Sequence, residues 1–163
     1  SKGYSMTGWR IGCADGPKDI SKAIDKIQSQ ATTNTSSDSE AAAVEALNGT
    51  QGFIKERATS FQERRDFVVK ELHAMDGLEC LNPNGAFYVL PSCKGLMGKK
   101  DTNGKELKTD TDFVQSLFEN SGVAVVQGSA FGLEGFFRIS YATSMENLKK
   151  ALEKISTFCK SLN

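Results

Sequence analysis

Ile20, Ala23, Ile24 and Ile27 recur at intervals of three and four, a spacing that predicts an amphipathic helix over about 17–30, with Pro17 suited to its first turn. Small hydroxyl residues fill Ala31 to Ser37. Ser37 and Glu40 then have the spacing of a capping box, and Asn48-Gly49 ends the helix they open. From Thr50 to about Met75 the positions Phe53, Ile54, Ala58, Phe61, Val68, Leu72 and Met75 keep the helical period, with charges between them. At 1.5 Å per residue that helix is roughly 35–40 Å long, more than one small core needs. It is expected to run between two bodies and to stop at Asp76-Gly77.

The second half mixes short apolar runs with helical ones. Residues 9–14, 78–81, 86–90, 123–126 and 135–142 read as strands, the second and third joined by Asn82-Pro83-Asn84-Gly85, which has the chemistry of a hairpin-like reversal. Residues 94–108 carry glycine and lysine without a period and read as a mobile surface loop. Thr109 and Asp112 open a helix that turns Phe113, Leu117 and Phe118 inward and stops at Ser121-Gly122. Residues 127–132 read as a loop. Thr143 and Glu146 have capping-box spacing before a last helix striped by Leu148, Ala151, Leu152, Ile155, Phe158 and Leu162. Strands alternating with helices give the fold class α/β, as a sandwich without internal repeats.

A chain of 163 residues supports one good-sized core or two small ones. Lys+Arg 20 against Asp+Glu 20 leaves no net charge, and no basic face is interleaved with aromatics, so neither nucleic acid nor an anionic membrane is an expected partner. The longest apolar runs, such as Val123 to Val126, are too short to cross a bilayer. Cys13, Cys80, Cys93 and Cys159 are widely spaced, with no Cys-x-x-Cys pair, which argues against a metal site and against a disulfide scaffold. Free thiols in a reducing cytosol are expected, and with no signal or transit segment in view the expected location is cytoplasmic.

Two charged groups do not fit that plain picture. The first sixteen residues hold Lys2, Arg10, Trp9 and four glycines in one short piece of chain. A primary amine eight residues from a guanidinium suits a phosphorylated aldehyde. The amine can form an imine while the planar guanidinium grips the phosphate by two parallel hydrogen bonds. Pyridoxal phosphate has that shape. Further on, Arg138 interrupts the buried-looking run Gly-Phe-Phe-Arg-Ile-Ser-Tyr-Ala. Alternation puts Phe137, Ile139 and Tyr141 on one face and Phe136, Arg138 and Ser140 on the other. A guanidinium buried without an anion is costly, so something acidic should meet Arg138, with an internal Asp or Glu partner or an edge strand that leaves the arginine wet as the plain readings.

Ser-Lys followed by Met-Thr-Gly-Trp-Arg-Ile-Gly closely resembles the cofactor-lysine motif of class I aminotransferases, the fold-type-I pyridoxal-phosphate enzymes, in their aspartate aminotransferase branch. Phe-Arg-Ile-Ser-Tyr-Ala resembles the same family's substrate-carboxylate motif. The resemblance implies the C-terminal part of the fold-type-I transferase fold, with residues 1–65 a remnant of the large cofactor-binding domain and 66–163 the small C-terminal α/β domain. It implies that Lys2 is the catalytic lysine and carries pyridoxal 5'-phosphate as a Schiff base. Arg10 and Ser1 would bind that cofactor, Arg138 the substrate α-carboxylate. Amino-acid and 2-oxo-acid substrates and a homodimeric parent follow, with the Ser/Thr run near the partner subunit. The Gly-Ala-Phe-Tyr stretch would lie along the substrate entrance, where Gly85 or Phe87 is either a site contact or a plain strand residue.

In that family the lysine lies past the middle of the chain, so the expectation is a C-terminal fragment of an aspartate:2-oxoglutarate aminotransferase, inactive alone because the groups that hold the cofactor ring lie upstream. Aromatic or prephenate transamination is the alternative within the family. A lyase of the same fold is disfavoured by Met6-Thr7-Gly8-Trp9, and a free-standing α/β interaction domain should show a closed surface with no large apolar face.

Overall fold

The computed structural model describes residues 1–163, which divide into two compact units, Ser1–Arg57 and Ala58–Asn163. The division falls between Arg57 and Ala58, inside the long helix, where the sequence puts a boundary near residue 65.

In the first unit, α1 (Lys18–Ala31) begins one residue after Pro17, which takes the N-cap position with φ −52°. Its stripe is present, yet no residue of α1 is buried: Ile20, Ile24 and Ile27 are 57%, 47% and 70% exposed. In α2 (Ser37–Asn48) the cap is Ser36, without a side-chain bond, so the expected Ser37–Glu40 box does not form. The Glu40 amide donates to the Ser36 carbonyl instead. The strand expected over 9–14 is also absent. A strand must place its amides and carbonyls on a neighbour, and this unit contains no strand to supply one. Thr7–Trp9 winds into a 3-10 turn, after which Arg10 is left-handed at φ 53°.

The helix expected over 50–75 is α3 (Gly52–His73). Its C-terminal part opens the second unit, where Val68, Val69 and Leu72 enter the core, and Gly77 turns the chain at φ 84°. Three short strands, β1 (Tyr88–Val89), β2 (Val126–Gln127) and β3 (Phe137–Ser140), form an antiparallel sheet in the order β1-β3-β2. β3 is central, with Tyr88 opposite Ser140 and Val126 opposite Arg138. The strand expected over 78–81 shrinks to one bridge, Glu79 to Ser92.

Two helices complete the unit, α4 (Asp110–Ser121) and α5 (Met145–Ser161). The Thr109–Asp112 capping box forms and Gly122 ends α4 at φ 71°, both as the sequence predicts. α5 is capped one residue later than expected, by Ser144, which accepts from the Asn147 amide. Phe113 is the hinge of the core, 4.9 Å from Phe137 and 5.7 Å from Phe158 between ring centres. Leu148, Leu152, Ile155 and Phe158 seal it from α5. Burial pushes the thiols of Cys80 and Cys159 up to about 11 and that of Cys93 to about 12, so all three stay protonated at neutral pH and act as small apolar residues.

Residues 94–108 are not the loose loop that their composition suggests. Lys94–Leu96 forms a 3-10 turn, Lys100 pairs with Glu106, and Leu96 and Leu107 are fully inside. Asp101 ties the turn down. Its carboxylate accepts from the amides of Asn103 and Lys105, each at 2.9 Å, and from the Ser116 hydroxyl on α4. The Ser116 bond, ahead of the two amides, holds the Asp101 carboxyl below the usual carboxylate range.

A depressed folded-state pKa contributes stability above the unfolded value of about 3.9, and that contribution is lost as pH falls through the folded-state pKa. Asp112, held low chiefly by the Thr109 hydroxyl, acts in the same direction. Asp101→Asn is therefore expected to lower the unfolding temperature at neutral pH, with the gap to wild type closing as pH drops below about 4. Thermal unfolding across that range measures it, and a gap that stays constant would assign the loss to packing alone.

Candidate active site

Ser1 to Arg10 folds as a chain of tight turns. The Met6 amide donates to the Ser1 carbonyl at 2.8 Å, Ser5 to Lys2 at 3.2 Å and Trp9 to Met6 at 3.2 Å. Met6 is the apolar plug of the segment, 9% exposed. The turns are stapled to the unit's helices and to the link between α2 and α3. The Ser39 hydroxyl of α2 donates to the Trp9 carbonyl at 2.7 Å, the Tyr4 hydroxyl donates to Gln51, and Arg57 of α3 donates to the Ser5 hydroxyl. Two non-glycine residues, Ser5 and Arg10, sit at φ 55° and 53°, a region that disfavours a Cβ and is populated only where surroundings enforce it.

This scaffold leaves the chemistry-bearing side chains outward. Ser1, Lys2 and Arg10 are exposed. The Lys2 amine has no hydrogen bond or ion pair, and the Arg10 guanidinium makes a single bond, to the Thr7 carbonyl at 3.0 Å. One free amine, one guanidinium with most of its donors open and one hydroxyl therefore share a ten-residue turn. That donor set fits a phosphorylated aldehyde: the amine can attack a carbonyl carbon, and the guanidinium and hydroxyl can bind phosphate oxygens.

Arg138 belongs to the second unit, at the middle of β3. The predicted alternation holds: Phe137, Ile139 and Tyr141 are 0%, 8% and 1% exposed, while Phe136 and Arg138 are half-buried and Ser140 is exposed. Arg65–Asp66, Lys105–Asp112, Lys108–Glu106 and Lys150–Glu146 form ion pairs, and Arg138 takes part in none of them. Of the two acidic partners open to it on sequence grounds, the internal one is absent. Its guanidinium carbon lies 4.3 Å from the centre of the Tyr88 ring and 4.2 Å from that of Phe131. Neither ring stands out in the sequence. Gly132, left-handed at φ 74° just after Phe131, and the register that puts Tyr88 on the Arg138 face of the sheet were the available signals. The Phe87 ring lies 4.5 Å from that of Tyr88 and 6.2 Å from that of Phe61 between centres, and Gly85 is exposed.

Residues 1–155 match the family described as aminotransferase class I and II, and the chain belongs to that family. The aspartate aminotransferase of Rhizobium meliloti (strain 1021) is 58% identical over 163 residues, which is 100% of this chain and 40% of that protein. A probable aspartate/prephenate aminotransferase of Rhizobium leguminosarum bv. phaseoli is 57% identical over 159 residues, 98% of this chain and 40% of that one. The crystal structure of the Rhizobium meliloti aspartate aminotransferase superposes with a TM-score of 0.91 over 99% of this chain and 40% of its own. The fold is accordingly that of the fold-type-I transferases, and the matched stretch is a C-terminal portion spanning about 40% of these relatives.

Proposed function

We propose that this chain is the part of a pyridoxal-phosphate-dependent aspartate:2-oxoglutarate aminotransferase that carries the cofactor lysine and the fork for the substrate α-carboxylate. The observation that carries this reading is Arg138, a half-buried guanidinium on the central strand with no carboxylate of its own. Such a cation is suited to an anion that arrives from solution, and an amino acid supplies one.

When bound, pyridoxal phosphate supplies a conjugated ring that accepts the electron pair left as the substrate α-carbon loses its proton. Lys2 would hold the cofactor's aldehyde carbon, and Arg10 and Ser1 its phosphate, in keeping with their free donors on one turn. Arg138 would take the α-carboxylate by two parallel hydrogen bonds, fixing the α-carbon in place. Lys2 Nζ, once released by the incoming amino group, would move the proton away from that carbon and return it during the reverse half-reaction.

The exposed stripe on α1 also favours part of a larger enzyme over a free-standing domain, which should close its surface. In this reading residues 1–65 are a remnant of the large cofactor-binding domain and 66–163 the small domain. The parent is a cytoplasmic homodimer acting on amino acids and 2-oxo acids, and residues 1–163 alone turn over slowly or not at all. A second reading, prephenate transamination, is favoured by the 57% identical relative.

The full-length enzyme should exchange amino groups between aspartate and 2-oxoglutarate with a kcat of about 1–10³ s⁻¹. A higher kcat/KM toward prephenate than toward 2-oxoglutarate selects the second reading. Failure to turn over any amino acid overturns both.

A further inference from the structure

Arg138 sits in a site that ordinarily demands a counter-ion, half-buried at the centre of a sheet, and the fold supplies aromatic faces in place of a carboxylate. The difference matters to a guanidinium, because all five of its N–H groups lie in its plane while its two faces carry none. A carboxylate partner would occupy the in-plane donors. A ring stacked on a face stabilises the cation and leaves those donors open. Resting on the assignment of Arg138 to the substrate α-carboxylate, we infer that Tyr88 and Phe131 are positioning residues, a pair of rings that fixes the Arg138 fork and keeps it free of internal anions.

The backbone leading to each ring is held by hydrogen bonds that do not involve Arg138, and the Tyr88 ring also lies 4.5 Å from that of Phe87. Tyr88 lies opposite Ser140 on β3, so Arg138, two residues along the same face, is its diagonal neighbour across the strand pair. The chain enters β1 through Ala86, which is left-handed at φ 62° although it has a Cβ. The buried Tyr141 hydroxyl donates to the Ala86 carbonyl at 3.0 Å, and the Tyr141 amide donates to the Phe87 carbonyl at 2.9 Å. Tyr141 thus pins the two residues before Tyr88.

On the other side, Phe131 is the last residue of the 3-10 turn Gly128–Phe131. Asp110, 3% exposed at the start of α4, accepts from the Ser129 amide at 2.6 Å, and the Gly128 amide donates to the Phe136 carbonyl at 2.7 Å. A Cβ on Gly128 would lie 2.2 Å from the Leu133 carbonyl oxygen, so the turn closes only with glycine there. Phe131 itself is 50% exposed and outside the hydrophobic core. Core packing gives no reason for a phenyl ring at that point; Arg138 does.

The test uses the cofactor-loaded full-length enzyme, with aspartate as substrate and succinate as an unreactive carboxylate probe. Phe131→Leu should raise both the KM for aspartate and the calorimetric dissociation constant of succinate roughly fivefold to 30-fold, with kcat nearly unchanged. Phe131→Tyr, which keeps a ring, should restore wild-type values, and Tyr88→Phe should match wild type while Tyr88→Leu follows Phe131→Leu. Because Phe131 is half-exposed, its variants should unfold at the wild-type temperature. Unchanged succinate binding in Phe131→Leu and Tyr88→Leu, beside its loss in Arg138→Leu, would overturn the clamp and leave the carboxylate assignment standing. Wild-type succinate binding in Arg138→Leu would overturn the carboxylate assignment first, and the clamp with it. Equal losses in Phe131→Leu and Phe131→Tyr would show that a ring face is not what the site needs.

Discussion

Lys2→Ala, made in the full-length enzyme, is expected to lower aspartate turnover by about 10⁴-fold or more while leaving the unfolding temperature of the cofactor-free protein unchanged. The size follows from the two tasks that this one amine would perform. It would anchor the cofactor covalently, and it would carry the proton between the α-carbon and the cofactor, a general acid–base contribution worth typically 10²–10⁴-fold. The unchanged stability follows from its surroundings, since Lys2 is exposed and its amine engages no other group. The backbone turn that holds it uses its carbonyl, which alanine keeps. Steady-state rates of the loaded enzyme beside thermal unfolding of the cofactor-free protein check both halves. Turnover within tenfold of wild type would remove Lys2 from the chemistry.

The second large effect is at Arg138. Arg138→Leu should reduce kcat/KM for aspartate by about 100-fold or more, because two charge-assisted hydrogen bonds to the α-carboxylate are lost together. Arg138→Lys keeps the charge but not the fork, and should fall between the two. Stability should move little or rise, since a half-buried cation without a counter-ion is replaced by an apolar side chain. A large drop in unfolding temperature with normal kcat/KM would make Arg138 a structural residue only.

Helical elements were legible because their signals are local. The extents of α3, α4 and α5, the Thr109–Asp112 box and the Gly122 stop depend on residues within a few positions of one another, whereas Phe118, expected to face inward on α4, is 54% exposed, and Ile54 and Ala58 of the α3 stripe are exposed. The failures share a different cause. Residues 9–14 and 78–81 have strand-like composition, but a strand exists only where another offers its edge; the first stretch has no such neighbour in its unit and the second finds one bridge. Residues 94–108 read as loose because the carboxylate that orders them, Asp101, draws its outside partner, Ser116, from a helix fifteen positions away. Cap assignments slipped by one residue at Ser36 and Ser144, where adjacent hydroxyl residues compete for the same role.

The site divides along the same line. Lys2, Arg10 and Arg138 became candidates through the motifs around them, and the structure leaves the first two exposed and the third half-buried without an ion pair. Tyr88 and Phe131 could not be named from sequence, since a ring flanking a guanidinium 50 residues or 7 residues away looks in sequence like any other core aromatic. What places them is register across β1 and β3 and the turn that Asp110 anchors.

One measurement reaches the centre of this account. The cofactor-loaded full-length enzyme is reduced with borohydride, digested, and its peptides are weighed. A single phosphopyridoxyl group should be found, fixed on Lys2 in about one copy per chain. The same group on a different lysine, or no fixed group on an enzyme that still turns over aspartate, would contradict it.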